Sequence, residues 1–248
     1  IAAQLAESSD GEIVINDLTD LVGKMDIQGL RSAVILRKII KDPESLFDKF
    51  PYFSFKGGFG SCSSSTAVEL IDGTELLVSR TGYTGEFGFE LFVEVDQLQS
   101  LWAQLLDAGE EYGLLPCGLA SPDSLRAGAV LPLSHQDIGV WTFLRNPWQF
   151  ALPWNDDGRS FSKDFIGADA LLDETEADYT FPFAGFDLRK IPVTDTTCVI
   201  DASGKEVGRI LTCTTDMAIG RVDGEIVSLA SGPEGFKPKG LCCGFLLL

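Results

Sequence analysis

Apolar and polar positions alternate most cleanly over residues 89–95. Phe89, Leu91, Val93 and Val95 fall on one face, and Glu90, Phe92 and Glu94 on the other. Period two is the signature of a strand with one buried face. Just upstream, Gly82, Gly85 and Gly88 occupy every third position. Glycine takes positive φ without steric penalty, so this stretch reads as a folded-back loop that other backbones can approach. Glu90 therefore opens a strand directly after a glycine loop, opposite the best apolar positions. A carboxylate there is either solvated or aimed at a polar ligand, and spacing does not choose between the two.

The same patterns organise the rest of the chain. Residues 12–16 and 21–27 are strand-like. Leu30, Ala33, Val34, Arg37 and Ile40 recur at helical spacing, with basic residues late in the run, and Asp42-Pro43 is read as its stop. A short helix is expected within 45–52. Strands 63–71 and 74–80 flank Asp72-Gly73, a strong hairpin signal. A helix is expected from Asp96 as N-cap to Gly109 as its terminator, and another from Ser121 as N-cap with Pro122 in its first turn. Strands interleaved with helices imply an α+β domain built on an antiparallel sheet.

Beyond Arg145 the character changes. Residues 146–158 are aromatic and turn-rich, 165–172 form a short helix, and 173–178 an acidic connector. From Phe183 onward, short strands at 184–188, 197–200, 206–214, 217–222, 226–230 and 241–248 suggest a small all-β barrel or sandwich. The expected layout is an α+β domain over 1–155, a connector over 156–182, and a barrel-like domain over 183–248.

Composition narrows the partners. The 248 residues carry 45% apolar and 23% charged side chains, ordinary for a globular protein. A net charge of −18 repels nucleic-acid phosphates and anionic lipid, so neither is an expected partner. No stretch approaches the roughly 20 apolar residues of a membrane helix. The N-terminus lacks the pattern of a secretory signal, and a cytoplasmic setting is expected. Six cysteines show no C-x-x-C spacing and there is a single histidine, His135, so no metal site is expected. The thiols read as reduced and mostly buried.

Specific words then carry a resemblance. Arg80-Thr-Gly-Tyr-Thr-Gly-Glu-Phe-Gly-Phe-Glu90 is followed by Gly118-Leu-Ala-Ser-Pro-Asp-Ser-Leu-Arg126, Leu131-Pro-Leu and Asp137-Ile138, with weaker matches at Asp26-Ile-Gln-Gly29 and Phe165-Ile-Gly167. In this order they resemble the aminomethyltransferase (glycine cleavage T protein) family. The resemblance implies a three-domain ring around a tetrahydrofolate site, which receives a one-carbon unit from an amine, thioether or aryl ether donor. In some relatives the donor is an aminomethyl-lipoyl carrier protein. Placed along the family's length, Ile1 falls about a third of the way in. The family's catalytic aspartate lies before that point, so no residue here is assigned a catalytic role. The apolar run at 241–248 suggests that the C-terminal end is cut as well.

Three folate-binding positions are carried over. Glu90 matches the glutamate that hydrogen-bonds the pterin ring, the alternative being an exposed strand residue. Arg126 matches a later family arginine, the alternative being a structural salt bridge. Tyr83 either stacks on the pterin or packs. The chain also departs from the family pattern. Phe87 replaces an aspartate, Pro122 an arginine, and Arg126-Ala-Gly-Ala-Val130 stands where the family reads Arg-Leu-Glu-Ala-Gly. His135 reads as a structural or exposed residue before an acid/base, and Asp137 as a loop-orienting group. The leading functional expectation is a tetrahydrofolate-dependent aminomethyl or methyl transferase. The alternatives are a non-catalytic folate-binding or regulatory relative, and a docking domain of a larger methyltransferase system.

Overall fold

A computed structural model of the chain describes residues 16–59, 62–63, 66–139, 143–173, 178–229 and 231–248. The strand expected at 12–16, most of the connector at 173–178 and the Cys62 side chain lie outside the described residues. The framework groups into two units, residues 1–82 with 86–116 and residues 117–248 with 83–85. This grouping divides the chain near 116. The boundaries near 155 and 182 concern where its composition changes.

In the first unit, β1 (Val22–Gln28) leads through Gly29 into α1 (Ser32–Ile39), followed by α2 (Pro43–Phe47), β2 (Phe55–Phe59), β3 (Cys62–Ser63), β4 (Leu77–Ser79), β5 (Gly88–Glu94) and α3 (Leu98–Gly109). The five strands form one antiparallel sheet in the order β1-β5-β4-β2-β3. Alternation along β5 buries Phe89, Leu91 and Val93 against Ile35, Leu36, Ile39, Leu101 and Leu105 of the two longer helices. Each such side chain stabilises the fold by about 1.5–3 kcal/mol. Two helices on one sheet face leave Lys24, Asp26, Ser79, Glu90 and Phe92 on the other.

Several element ends differ from the sequence reading. Asp42-Pro43 starts α2 instead of only stopping α1, because the Asp42 carboxylate accepts from the Ser45 N–H and Pro43 fills the first helical position, where no donor is needed. Gly109 is the last residue of α3 and not its left-handed C′ residue. Leu114 packs where its Cβ would be, and the left-handed cap is Gly113, after one 3₁₀ turn. Asp96 lies in a 3₁₀ turn before α3 and caps nothing. Asp72-Gly73 does turn the chain, with the Leu70 N–H donating to Thr74 O at 2.8 Å.

The second unit contains α4 (Ala120–Gly128), α5 (Ala168–Leu172), β6 (Thr180–Ala184), β7 (Cys198–Ile200), β8 (Glu206–Asp216), β9 (Ile219–Val222), β10 (Glu225–Ser228) and β11 (Leu241–Leu247). Helix α4 begins one residue ahead of Ser121, which makes no side-chain cap. The barrel is not formed. Among the described residues the strands make an open sheet, β6-β11-β8-β7, and a separate pair, β10-β9. The edge strand β6 replaces the strand expected at 184–188, and an edge is where Pro182 is tolerated. Strand β11 is buried on both faces, which hides Cys242 and Cys243 together, whereas Cys117 and Cys198 are exposed. Burial, with Asp216 nearby, pushes the Cys243 thiol up to about 12. Among the described residues no helix is long and apolar enough to cross a membrane.

Two glycines with positive φ test the first unit's packing. At Gly57 a Cβ would lie 2.1 Å from the Leu76 carbonyl oxygen, whereas at Gly73 it would meet nothing within 4 Å. Gly57→Ala is expected to lose about 2–3 kcal/mol in denaturant unfolding and Gly73→Ala about 1 kcal/mol. Equal losses would contradict the close strand contact at Gly57.

Candidate functional site

Register brings four polar residues of the first unit together. Asp26 lies opposite Glu90 across β1 and β5, Ser79 lies opposite Glu90 across β4, and Lys24 sits two residues before Asp26 on the same face. The Lys24 ammonium binds one Glu90 oxygen and lies 3.2 Å from Asp26 Oδ2. Thr81 Oγ1 donates to the other Glu90 oxygen. One ammonium thus serves two carboxylates, and the Glu90 side chain is only 18% exposed. Burial alone would raise the Glu90 pKa. The hydrogen bonds from Lys24 and Thr81 outweigh it and hold the carboxyl below its usual range. Burial likewise works against the Lys24 charge, and the bond to Glu90 with the nearby Asp26 overcomes it, raising the ammonium pKa.

The glycine loop wraps around two side chains. Gln28 donates through Nε2 to Phe89 O at 3.3 Å and Thr81 O at 3.4 Å. Its Oε1 is buried without a hydrogen-bond partner among the described residues, where a Cβ on Gly82 or Gly88 would come to 2.4 or 1.9 Å. Glycine at both positions is therefore a space requirement. Arg80 donates to Gly88 O at 3.0 Å, and its guanidinium lies 3.9 Å from the Phe87 ring centroid and 5.2 Å from that of Tyr52. Phe87 thus holds Arg80 by a cation–π contact at the position where the resembling family has an aspartate.

In the second unit Tyr83 Oη donates to Pro132 O at 2.6 Å, pinning the loop tip to the Leu131-Pro-Leu segment. Burial raises the pKa of this hydroxyl. Arg126 is 1% exposed and spends all three guanidinium nitrogens internally. Nε and Nη2 donate to Asp123 Oδ1 at 2.9 and 2.6 Å, and Nη1 binds the fully buried Asp137. Asp137 also accepts from Leu133 N at 2.9 Å and Thr212 Oγ1 at 2.5 Å. The pair ties α4, the loop after it and β8 into one network. Asp137 therefore orients a loop, as its pattern suggested.

The family departures have local reasons. A Cβ on Gly128 would lie 1.8 Å from Asp216 Oδ2, so the Asp216 carboxylate occupies the space a side chain there would use. Val130 sits at φ 60, unfavourable for a β-branched residue, in the place of the family's glycine. Its carbonyl accepts from Trp148 Nε1 at 2.6 Å. Pro122 lies in the first turn of α4 and has no donor to offer. His135 is exposed, at φ 67.

Among the three sequence-derived candidates, Tyr83 and Arg126 share the second unit and Glu90 belongs to the first. Lys24, Thr81 and Gln28 were not singled out from the sequence. Lys24-x-Asp26-x-Gln28 is an alternating polar row on a strand, and that row was the available signal. Among the described residues no group of three or more His, Cys, Asp or Glu side chains is arranged to hold a metal ion.

Comparison with known proteins agrees with the words that first suggested a family. The model of the GCVT N-terminal domain matches residues 1–154. The chain is 30% identical over 209 residues to the aminomethyltransferase of Alkaliphilus metalliredigens, covering 84% of this chain and 52% of that protein. It is 33% identical over 202 residues to the aminomethyltransferase of Caldanaerobacter subterraneus, covering 81% and 49%. The chain thus spans about half the length of the curated relatives it matches. The crystal structure of glycine cleavage system aminomethyltransferase T from Bartonella henselae superposes with a TM-score of 0.56 at 22% identity, over 90% of this chain and 58% of that one.

The Arg126 network predicts an asymmetry. Asp137→Ala strands a buried guanidinium and is expected to lose about 3–5 kcal/mol. Asp123, whose side chain is 47% exposed, should lose about 1 kcal/mol or less as Asp123→Ala. Chemical denaturation of both variants checks this, and comparable losses would show that Asp137 is not the anchoring partner.

Proposed function

The chain belongs to the aminomethyltransferase (glycine cleavage T protein) family, and from that premise we propose that it serves a tetrahydrofolate-dependent transfer of an aminomethyl or methyl group. Aminomethyltransferases of this family use tetrahydrofolate. The observation that carries the reading is the Glu90 carboxylate, held ionised on the outward sheet face by Lys24 and Thr81. An ionised carboxylate has about four lone-pair sites. Lys24 and Thr81 engage one site on each oxygen, leaving acceptors for the paired amino and ring N–H donors of a pterin. The free acceptor sites at Glu90 therefore suit the heterocycle.

The other two carried positions suit indirect roles better. Arg126 has no free nitrogen, so its contribution is to fix α4 and the loop at 131–138. Tyr83 holds the glycine loop through the Pro132 carbonyl. When bound, tetrahydrofolate supplies the nitrogen that accepts the one-carbon unit. The residues of this chain bind and orient its ring, and positioning of this kind supplies much of the rate in two-substrate transfers. The donor is proposed to be a small amine or thioether, or a lipoyl-bearing carrier protein.

Titration calorimetry with tetrahydrofolate tests the assignment. Glu90→Gln removes the charge and half the acceptors while keeping the shape, and binding is expected to weaken by about 1–3 kcal/mol. Unchanged affinity would remove Glu90 from the site. Binding without transfer in a donor screen would favour the non-catalytic relative.

A further inference from the structure

A cavity of about 560 Å³ in the second unit has a character opposite to that of the chain as a whole. Arg189, Arg221, Lys237 and Lys239 line it with Phe186 and Phe236, and Asp187 is the acidic residue on its wall. In a chain of net charge −18, four cations against one carboxylate form a local positive field that concentrates anions.

Arg221 is the fixed element. Its Nη1 donates to Gly224 O at 2.8 Å and its Nη2 to Ala184 O at 3.2 Å and Gly185 O at 3.4 Å. Its guanidinium lies 4.9 Å from the Phe186 ring centroid. Main-chain carbonyls orient the group without neutralising it, and its buried Nε has no hydrogen-bond partner among the described residues. Glycine also shapes the lining. A Cβ on Gly220 would press the Phe236 ring at 3.0 Å, and one on Gly240 would meet Leu188 at 2.5 Å. Lys237 and Lys239 are exposed and carry no ion pair among the described residues, whereas Arg189 is occupied by Asp187 at 2.7 Å.

We infer that this cavity binds a small anion carried on an aromatic or apolar body, with Arg221, Lys237 and Lys239 holding the anionic group and Phe186 and Phe236 the ring. Beyond those carbonyl bonds Arg221 keeps its full charge and one Nη1 hydrogen, which suit a carboxylate or a phosphate. The volume suits a ligand of small-molecule size and not a folded partner. The inference does not rest on the folate reading, since none of these residues takes part in the Glu90 constellation.

Phenyl phosphate, phenylacetate, inorganic phosphate and benzylamine, each titrated into the 248-residue chain at low salt by calorimetry, test it. At least one aromatic anion should bind about tenfold more tightly than inorganic phosphate or benzylamine. Whichever of the phosphate and the carboxylate binds more tightly identifies the preferred group. The double variant Lys237→Ala, Lys239→Ala should weaken that binding at least about tenfold with unchanged thermal melting. The control pair Lys38→Ala, Lys41→Ala, in the first unit, should leave it within about twofold. Arg221→Lys keeps the charge but loses the carbonyl bonds that orient it, and should fall between wild type and the double lysine variant. Failure of both aromatic anions to bind, or equal weakening by the control pair, would overturn the inference.

Discussion

A carboxylate on the open face of a sheet keeps one position only if something holds it, and on β5 the holder is Lys24. The ion pair spans two neighbouring strands, so its geometry is set by backbone register and not by side-chain chance. Thr81 supplies the second restraint from the first turn of the glycine loop, and Ser79 hydrogen-bonds Thr81 at 2.7 Å. A fixed ionised group in a half-buried setting is worth more to a ligand than a free surface glutamate, because little side-chain freedom is lost when the ligand arrives. That constraint depends on the loop, and the loop depends on glycine. Any side chain at Gly82 or Gly88 would displace Gln28, which ties the loop to β1 and β5.

The second unit uses charge differently. There the Arg126–Asp137 pair is buried, saturated and structural. It holds α4 to β8 and sets the course of the loop carrying Leu131 and Pro132, to which Tyr83 bonds. Small residues complete the seat, since Gly128 yields its side-chain space to Asp216 and Ser124 bonds Thr215 O. A buried pair of this kind does not by itself imply net stability over an apolar alternative, but losing one partner is severe. Arg126 thereby fixes α4 and the loop at 131–138 and has no guanidinium nitrogen left over.

Much of the fold was legible because its strongest signals are local. Period-two alternation marks β5, helical spacing marks α1, and Asp72-Gly73 marks a turn. What failed depended on partners far along the chain. The strand expected at 184–188 lies instead at 180–184, where Pro182 is tolerated on an edge that pairs only with β11. Six strand-like runs suggested closure, yet β9 and β10 pair with each other and leave an open four-stranded sheet. Gly109 looked like the left-handed residue past a helix end because composition cannot distinguish a glycine needed for positive φ from one needed for space under Leu114. At the site, Glu90 was legible from its position after the loop. Its lysine partner was not, because 66 residues separate the two and only register unites them. Arg126 was recognisable as an important residue, but whether it faces a ligand or a buried aspartate is decided by tertiary packing.

Folate recognition as proposed needs a carboxylate kept charged and in place at the mouth of a glycine loop. Carbon-13 NMR titration of the Glu90 side-chain carboxyl, with and without tetrahydrofolate, tests that most directly. A midpoint below the usual glutamate value of about 4.3 is expected in the free chain, with a displaced carboxyl resonance in the ligand's presence. A midpoint at the ordinary value, with a resonance indifferent to the folate, would contradict it.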